Sequence, residues 1–333
     1  MQLKLLKKDC EEWRSFLKKN EHLIIHTPEW KSFIEDTFYL TKSKYYIIKA
    51  KDRIKLIFPT FSTTLAMNSN MSVPFLEYGA YAGDVPAKEF NELAKHLPMN
   101  TKIHSGLDCK HLKKYFIEVK EHKKFILPLK TEEVLWKHIH KFKRKAVRLS
   151  EKSGIVVRDI DVNELDELYR LYLRSMKFFG TPPNSKKYFK NFYKYFVNRN
   201  LAKVLGAYYD GKLVAMLAGF TVSNRIHVNI NVSDVRYLKY RINDAVYWEF
   251  IKWGCNNNFK EFDFGIVWAG RGQFAFKKKW NAELRDLPNY YLRSKKTSKP
   301  FYFEYDVFSF IWKYIPTPIA ALIGQPFREF IGI

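Results

Sequence analysis

The stretch AKVLGAYYDGKLVAMLAGFTVSNRIHVNINV, Ala202 to Val232, decides the fold. Two apolar runs, Ala202 to Tyr209 and Lys212 to Val222, flank Asp210-Gly211. Asp-Gly between such runs is a strong hairpin signal, because the turn needs positive φ at both central residues. Ser223-Asn224 marks the next turn. Beyond it, Ile226, Val228, Ile230 and Val232 alternate with polar neighbours, the period of a half-buried strand. Three consecutive antiparallel strands are expected.

The flanks extend this unit. Upstream, Leu165, Leu168, Tyr169, Tyr172, Leu173 and Met176 fall at helical spacing within Glu164 to Phe178. Gly180-Thr181-Pro182-Pro183 ends that helix, since the prolines cannot continue it. Asn184 and Ser185 then cap a helix running to about Asn198. Downstream, an amphipathic helix from Ile242 to Asn256 leads into a short buried strand, Phe259 to Val267. The order helix, helix, three antiparallel strands, helix, strand predicts an α+β fold with a mixed sheet. It is similar to the core order of the GNAT acyltransferase fold, although order alone assigns no activity.

The first half echoes the second. Trp30 to Phe38 reads as a helix, and Tyr45–Ala50 with Ile54–Phe61 as a hairpin around Asp52-Arg53. Lys55-Leu56-Ile57 parallels Lys212-Leu213-Val214, which suggests two copies of one unit. A basic segment, Thr131 to Ser153, reads as one helix capped by Thr131 and stopped by Gly154. Its apolar stripe is Leu135, Ile139, Phe142, Ala146 and Leu149. Its basic residues, among them Lys143, Arg144 and Arg148, form either a solvated face or a track for tRNA or lipid phosphates, whose contacts are salt-dependent. The expected division is 1–150, 151–296 and a helical tail, 297–333. Within the tail region, Lys295 to Pro300 is a polar linker. Phe301 to Ile333 either packs on the body or touches lipid.

Composition sets the outer bounds. The 333 residues suit two domains, and 47% hydrophobic with 17% aromatic residues supply ample core. The net charge of +24 attracts polyanions, or reflects nothing more than a basic surface. Cys10, Cys109 and Cys255 are too few and too widely spaced for a disulfide framework or a structural zinc site, and no metal is expected. The N-terminus has no apolar signal core, and no apolar run reaches the ~20 residues of a membrane span. A cytoplasmic location is expected, with association at the inner membrane face left open.

The chemistry is expected between Phe262 and Glu283, in Phe262-Asp263-Phe264-Gly265, then Gly270-Arg271-Gly272, then Phe276-Lys277-Lys278-Lys279-Trp280 and Ala282-Glu283. A buried strand runs into a glycine-containing loop, a common place for a site. Asp263, in an otherwise apolar strand, reads as a buried carboxylate bonded to nearby backbone. Upstream, Arg236 to Asn243 stands where acetyl-CoA enzymes of this fold carry a glycine-rich phosphate cradle. It holds no glycine, so basic side chains would have to serve, and the donor is expected to be something other than CoA.

These motifs resemble the FemAB family, the Fem-like aminoacyl transferases with their FemAB-related, BioF2-like acetyltransferase relatives. Ser72-Val73-Pro74-Phe75-Leu76-Glu77-Tyr78-Gly79, the helix end Arg144 to Gly154, and Gly180-Thr181-Pro182-Pro183 agree with the same family. The likeness runs from about Pro28 to Leu292. It implies two tandem GNAT-like halves, each a mixed, largely antiparallel sheet flanked by helices. It also implies transfer of an aminoacyl group from aminoacyl-tRNA to an amine of a cell-wall precursor. An alternative donor is acyl-CoA, acting on a cell-surface sugar. A third reading is a non-catalytic protein that binds nucleic acid or anionic lipid. By the resemblance Lys277 is the catalytic residue, its ammonium lowered by Lys278 and Lys279 and facing the developing oxyanion. The candidate substrate-binding residues are Tyr78, Tyr81, Arg148, Arg236, Arg241, Asn243, Arg271 and Phe276. No permanently bound cofactor is expected.

Overall fold

The computed structural model describes residues 2–63, 70–71, 75–97, 101–267, 272–292 and 309–331. The chain divides into two compact units. The first is Met1–His122, Asp286–Lys299 and Pro326–Ile333; the second is Lys123–Arg285 and Pro300–Gln325. The division thus falls within strands β7 (Ile117–Pro128) and β13 (Glu283–Tyr291), not after residue 150. The reason is packing. Leu135, Ile139 and Val147 of the basic segment share one apolar cluster with Val214, Val246 and Phe262, so that segment belongs to the second core.

In the first unit the strand order is β1 (Gln2–Leu5), β2 (Thr41–Ala50), β3 (Arg53–Thr63), β4 (Asn70–Met71), β6 (Lys102–His104) and β13, with β5 (Ala82–Gly83) paired to β3. All pairs are antiparallel except β4 with β6. Helices α1 (Glu11–Lys19), α2 (Pro28–Thr37), α3 (Ala87–His96) and α4 (Leu112–Tyr115) complete it. Helix α2 starts where Thr27 accepts the Trp30 N–H at 3.1 Å, with Pro28 at the first helical position. The β2–β3 turn is Lys51-Asp52, φ 47° and 58°, one residue earlier than expected. Strand β3 therefore starts at Arg53, so Arg53-Ile54 follows its turn as Lys212-Leu213 follows Asp210-Gly211. The Lys55-Leu56-Ile57 match was out by two residues, a shift that preserves which face is buried.

The second unit matches the sequence reading closely. Strands β9 (Ala202–Tyr209), β10 (Lys212–Val222) and β11 (Arg225–Ser233) form the antiparallel trio. Asp210, Gly211, Ser223 and Asn224 all have positive φ, between 48° and 69°. Strand β8 (Val156–Asp159) adds to β9, while β12 (Glu261–Val267) lies parallel to β11 and antiparallel to the 123–128 part of β7. Helix α7 (Leu165–Phe179) ends on left-handed Gly180. Ser185 caps α8 (Lys186–Tyr195) by accepting the Tyr188 N–H, and α9 (Ile242–Asn256) has the expected limits.

The basic segment is the main departure. It is two helices, α5 (Glu132–His138) and α6 (Lys141–Lys152), separated by extended backbone at Ile139 and His140. Arg144 holds the break: its Nη1 donates to the carbonyls of Trp136, Lys137 and Ile139 at 3.2, 3.1 and 2.5 Å. Those carbonyls lie at the α5 end, where intrahelical donors run out. The break resets the helical phase. Phe142 is 54% exposed and Leu149 45%, whereas Lys143, Ala146, Val147 and Ser150 form the buried face. Lys143 does not belong to a solvated track.

Candidate active site

The reset phase sends Lys143 inward, between α6, the first turn of α9 and α10 (Gly272–Lys278). Its ammonium lies 2.5 Å from Asp244 Oδ1, with both side chains over nine-tenths buried. The same nitrogen sits 3.3 Å from the centre of the Phe276 ring and 4.7 Å from that of Trp280, within the range where an aromatic face attracts a cation. Burial lowers the Lys143 ammonium to about 8. Asp244 opposes that shift, and Lys279 and Arg241 add to it. The pair ties three elements that are far apart in sequence and fixes the ring of Phe276.

Beside this junction the sheet opens. Strands β11 and β12 are joined at Arg225–Glu261, Ile226–Phe262 and His227–Asp263. Beyond those pairs, residues 228–233 and 264–267 continue without pairing to one another. The result is a cleft between two parallel strands. Asn229 donates to the Tyr188 hydroxyl at 3.3 Å and Asn231 to that of Tyr247 at 3.4 Å, so polar groups line the diverging part of β11.

Lys277 comes to this opening from α10. Its side chain is buried, and Nζ donates to the Ile266 carbonyl at 3.0 Å, at the end of β12 that has left β11. Lys278 and Lys279 are exposed. Asp263 is fully buried. Its Oδ1 accepts the Gly265 N–H at 2.9 Å, and Oδ2 lies 3.5 Å from Lys124 Nζ. Burial lowers the Lys124 ammonium below the usual lysine range, with Asp263 working against it. Asp263 thus shapes the turn at Gly265, as the sequence suggested.

The other candidates separate. Phe276 and Arg241 gather around Lys143, and Asn243 occupies the first turn of α9, donating to Ser233 Oγ at 3.4 Å. Arg241 is left-handed, φ 60°, immediately before α9. Arg236 is not a spare phosphate ligand: its guanidinium makes two bonds to Asp234, at 2.9 and 2.5 Å. Arg148 is exposed and lies over Trp136. Tyr78 and Tyr81 are core residues. Both are buried in the first unit, and the Tyr81 hydroxyl accepts the His111 N–H at 3.1 Å. Gly106 packs closely on one of them; a Cβ there would lie 2.6 Å from that of Tyr78. Arg271 lies outside the described residues, as do 72–74 of the first-half motif and the linker 295–300.

Sequence reasoning missed Asp244 and the inward turn of Lys143. A signal was available. Lys143, Ala146, Val147 and Ser150 stand at i, i+3, i+4 and i+7, one face of a helix, and Asp244 directly precedes the apolar run Ala245–Trp248.

Residues 137–278 match the acetyltransferase (GNAT) domain family. FemX superposes with a TM-score of 0.69 at 13% identity, over 88% of this chain and 97% of that one. L-PGS from Bacillus licheniformis superposes with a TM-score of 0.55 at 13% identity, over 98% of each. No curated protein sequence matches. Residues 137–278 thus carry a GNAT-type acyltransferase domain, which favours an enzyme over the non-catalytic reading. Within that class the chain has the Fem-like architecture that its motifs resemble: two GNAT-like α+β units, each with a mixed, largely antiparallel sheet. Among the described residues no helix is long and apolar enough to cross a membrane.

Proposed function

We propose that the protein moves an aminoacyl group onto an amine of a cell-envelope precursor, with Lys277 stabilising the negative charge that develops on the acyl carbonyl oxygen. The observation that carries this reading is the place of Lys277, a buried ammonium fixed at the mouth of the cleft between β11 and β12. Attack of an amine on an acyl ester or thioester gives a tetrahedral intermediate with an oxyanion. A cation held there in advance favours the transition state over the ground state. Phe276, clamped under Lys143, supplies a rigid apolar wall beside it.

Aminoacyl-tRNA is the preferred donor, on two grounds. The segment 236–243 has no glycine, and the chain carries the basic excess that a polynucleotide needs. One observation favours acyl-CoA as the second reading. The left-handed turn that glycine would provide before α9 is present, at Arg241. A positive-φ residue directly before a helix N-terminus is compatible with backbone N–H groups facing a phosphate. Either donor is a co-substrate, and the reaction requires no resident cofactor.

Incubation with charged tRNA pools and with labelled acyl-CoAs identifies the donor that is discharged. Lys277→Ala is expected to lower turnover about 10²–10³-fold with donor binding retained. Near-wild-type turnover in that variant would refute the assignment.

A further inference from the structure

The surface around the tail of the second unit has a different character. Among the described residues, 18 large apolar side chains are exposed, and eight of them lie in two short segments. Six are on the tail: Phe310, Ile311, Tyr314, Ile319, Leu322 and Ile323, with Leu322 78% exposed. The other two are Phe178 and Phe179, at the end of α7. The segments are in contact. Ser309 Oγ donates to the Phe179 carbonyl at 2.8 Å, and Gln325 Oε1 accepts the Ser185 N–H at 3.0 Å. Gly324 rests on Pro183, where an added Cβ would lie 2.5 Å from the carbonyl oxygen. The inner face of the tail, Trp312, Ala320 and Gln325, is buried. The outer apolar face is therefore held in place around the 179–185 loop.

We propose that this face docks the protein on the surface of an anionic lipid bilayer. Contiguous exposed apolar area of this kind marks an interaction site, and the surrounding charge selects the occupant. Residues 168–209 carry nine lysines and arginines and no aspartate or glutamate, and residues 307–327 carry Lys313 and no acid. Lys177, Lys187 and Lys190 are exposed on α7 and α8, beside the loop, while Arg174 faces Asp234 at 3.7 Å. A second copy of the chain would bring the same positive field against itself, which opposes self-association. An anionic bilayer offers both complements, an apolar boundary for the aromatic and aliphatic side chains and negative headgroups for the lysines. The tail lies on the membrane and does not span it. The proposal stands whichever acyl donor the enzyme uses.

Co-sedimentation of the full chain with phosphatidylcholine vesicles, with and without phosphatidylglycerol, tests it. Wild type is expected to pellet with the anionic vesicles and to be released by salt. The double variant Phe310→Glu/Leu322→Glu is expected to lose about tenfold or more of its binding. Both positions are exposed, so the thermal melt stays unchanged. Separately, Phe310→Trp should gain fluorescence quenching by brominated lipid over the wild-type background, a readout that needs no disruptive change. Three results would overturn the proposal: equal binding of the double variant, absence of wild type from the anionic pellet, or a dimer that Leu322→Glu dissociates.

Discussion

The second unit breaks the rule of apolar inside and charged outside in two regions, in opposite directions. Around α6, α9 and α10 it buries Lys143, Asp244 and Lys277. Around the tail it exposes Phe310, Tyr314 and Leu322. The first departure opposes folding through desolvation; the second forgoes burial that would favour it. They differ in what the side chains do next. The buried charges have partners and fix geometry beside a cleft, whereas the exposed apolar groups have a packed inner face behind them and an outer face turned to solvent.

The sharpest way to break this contrast is to remove one partner of the buried pair. Asp244→Leu leaves the Lys143 ammonium uncompensated and is expected to cost about 3–5 kcal/mol in denaturant unfolding. The double variant Lys143→Met/Asp244→Leu should recover most of that loss, because no charge remains buried. A double variant as unstable as the single one would show that the pair does more than neutralise itself.

The next effect is a pH dependence. The folded Lys143 ammonium titrates at about 8, below the ordinary lysine value of about 10.5. Between those values the unfolded chain binds more protons than the folded one, so this group makes stability rise with pH across that window. Below about pH 8 both states are protonated and the unfavourable contribution is constant. The size is about 3 kcal/mol as an upper order of magnitude. It appears as the difference in unfolding free energy between wild type and Lys143→Met, followed from pH 7 to 10. A difference that stays flat over that range argues against a strongly desolvated ammonium.

The smallest expected effect lies at Arg241. Arg241→Gly relieves a left-handed arginine but frees the unfolded chain, and the two nearly cancel, leaving stability within about 1 kcal/mol. Donor binding should nonetheless weaken if the guanidinium meets the donor phosphate. Unchanged donor affinity would assign the role to the backbone turn alone.

The hairpins and α9 were legible because local chemistry decides them. Asp210-Gly211 and Ser223-Asn224 adopt the positive φ that their turns require, and Ile226, Val228 and Val232 of the period-two pattern in β11 are buried, although His227 between them is buried too. The basic segment was legible only in part. No proline or glycine marks the break at Ile139-His140. It is held by Arg144 and by the burial of Ile139 in a core built from distant residues, and local pattern carries no trace of that. Lys143 was therefore placed on the wrong side of its helix. Lys277 was singled out from motif resemblance. Its carbonyl partner, Ile266, and the opening of the sheet beside it are tertiary facts. Tyr78 and Tyr81 were named beside a motif resemblance, and a motif does not distinguish a tyrosine buried in a core from one that lines a site.

Gly180 carries one further consequence. Its φ of 64° suits glycine, and a Cβ there would lie 1.9 Å from the carbonyl oxygen of Ser309. The tail is keyed to the loop by shape, as a latch is to its notch. One methyl group would be enough to lift the latch. The apolar outer face would then lose its fixed presentation while the interior around β11 and β12 stayed as it is.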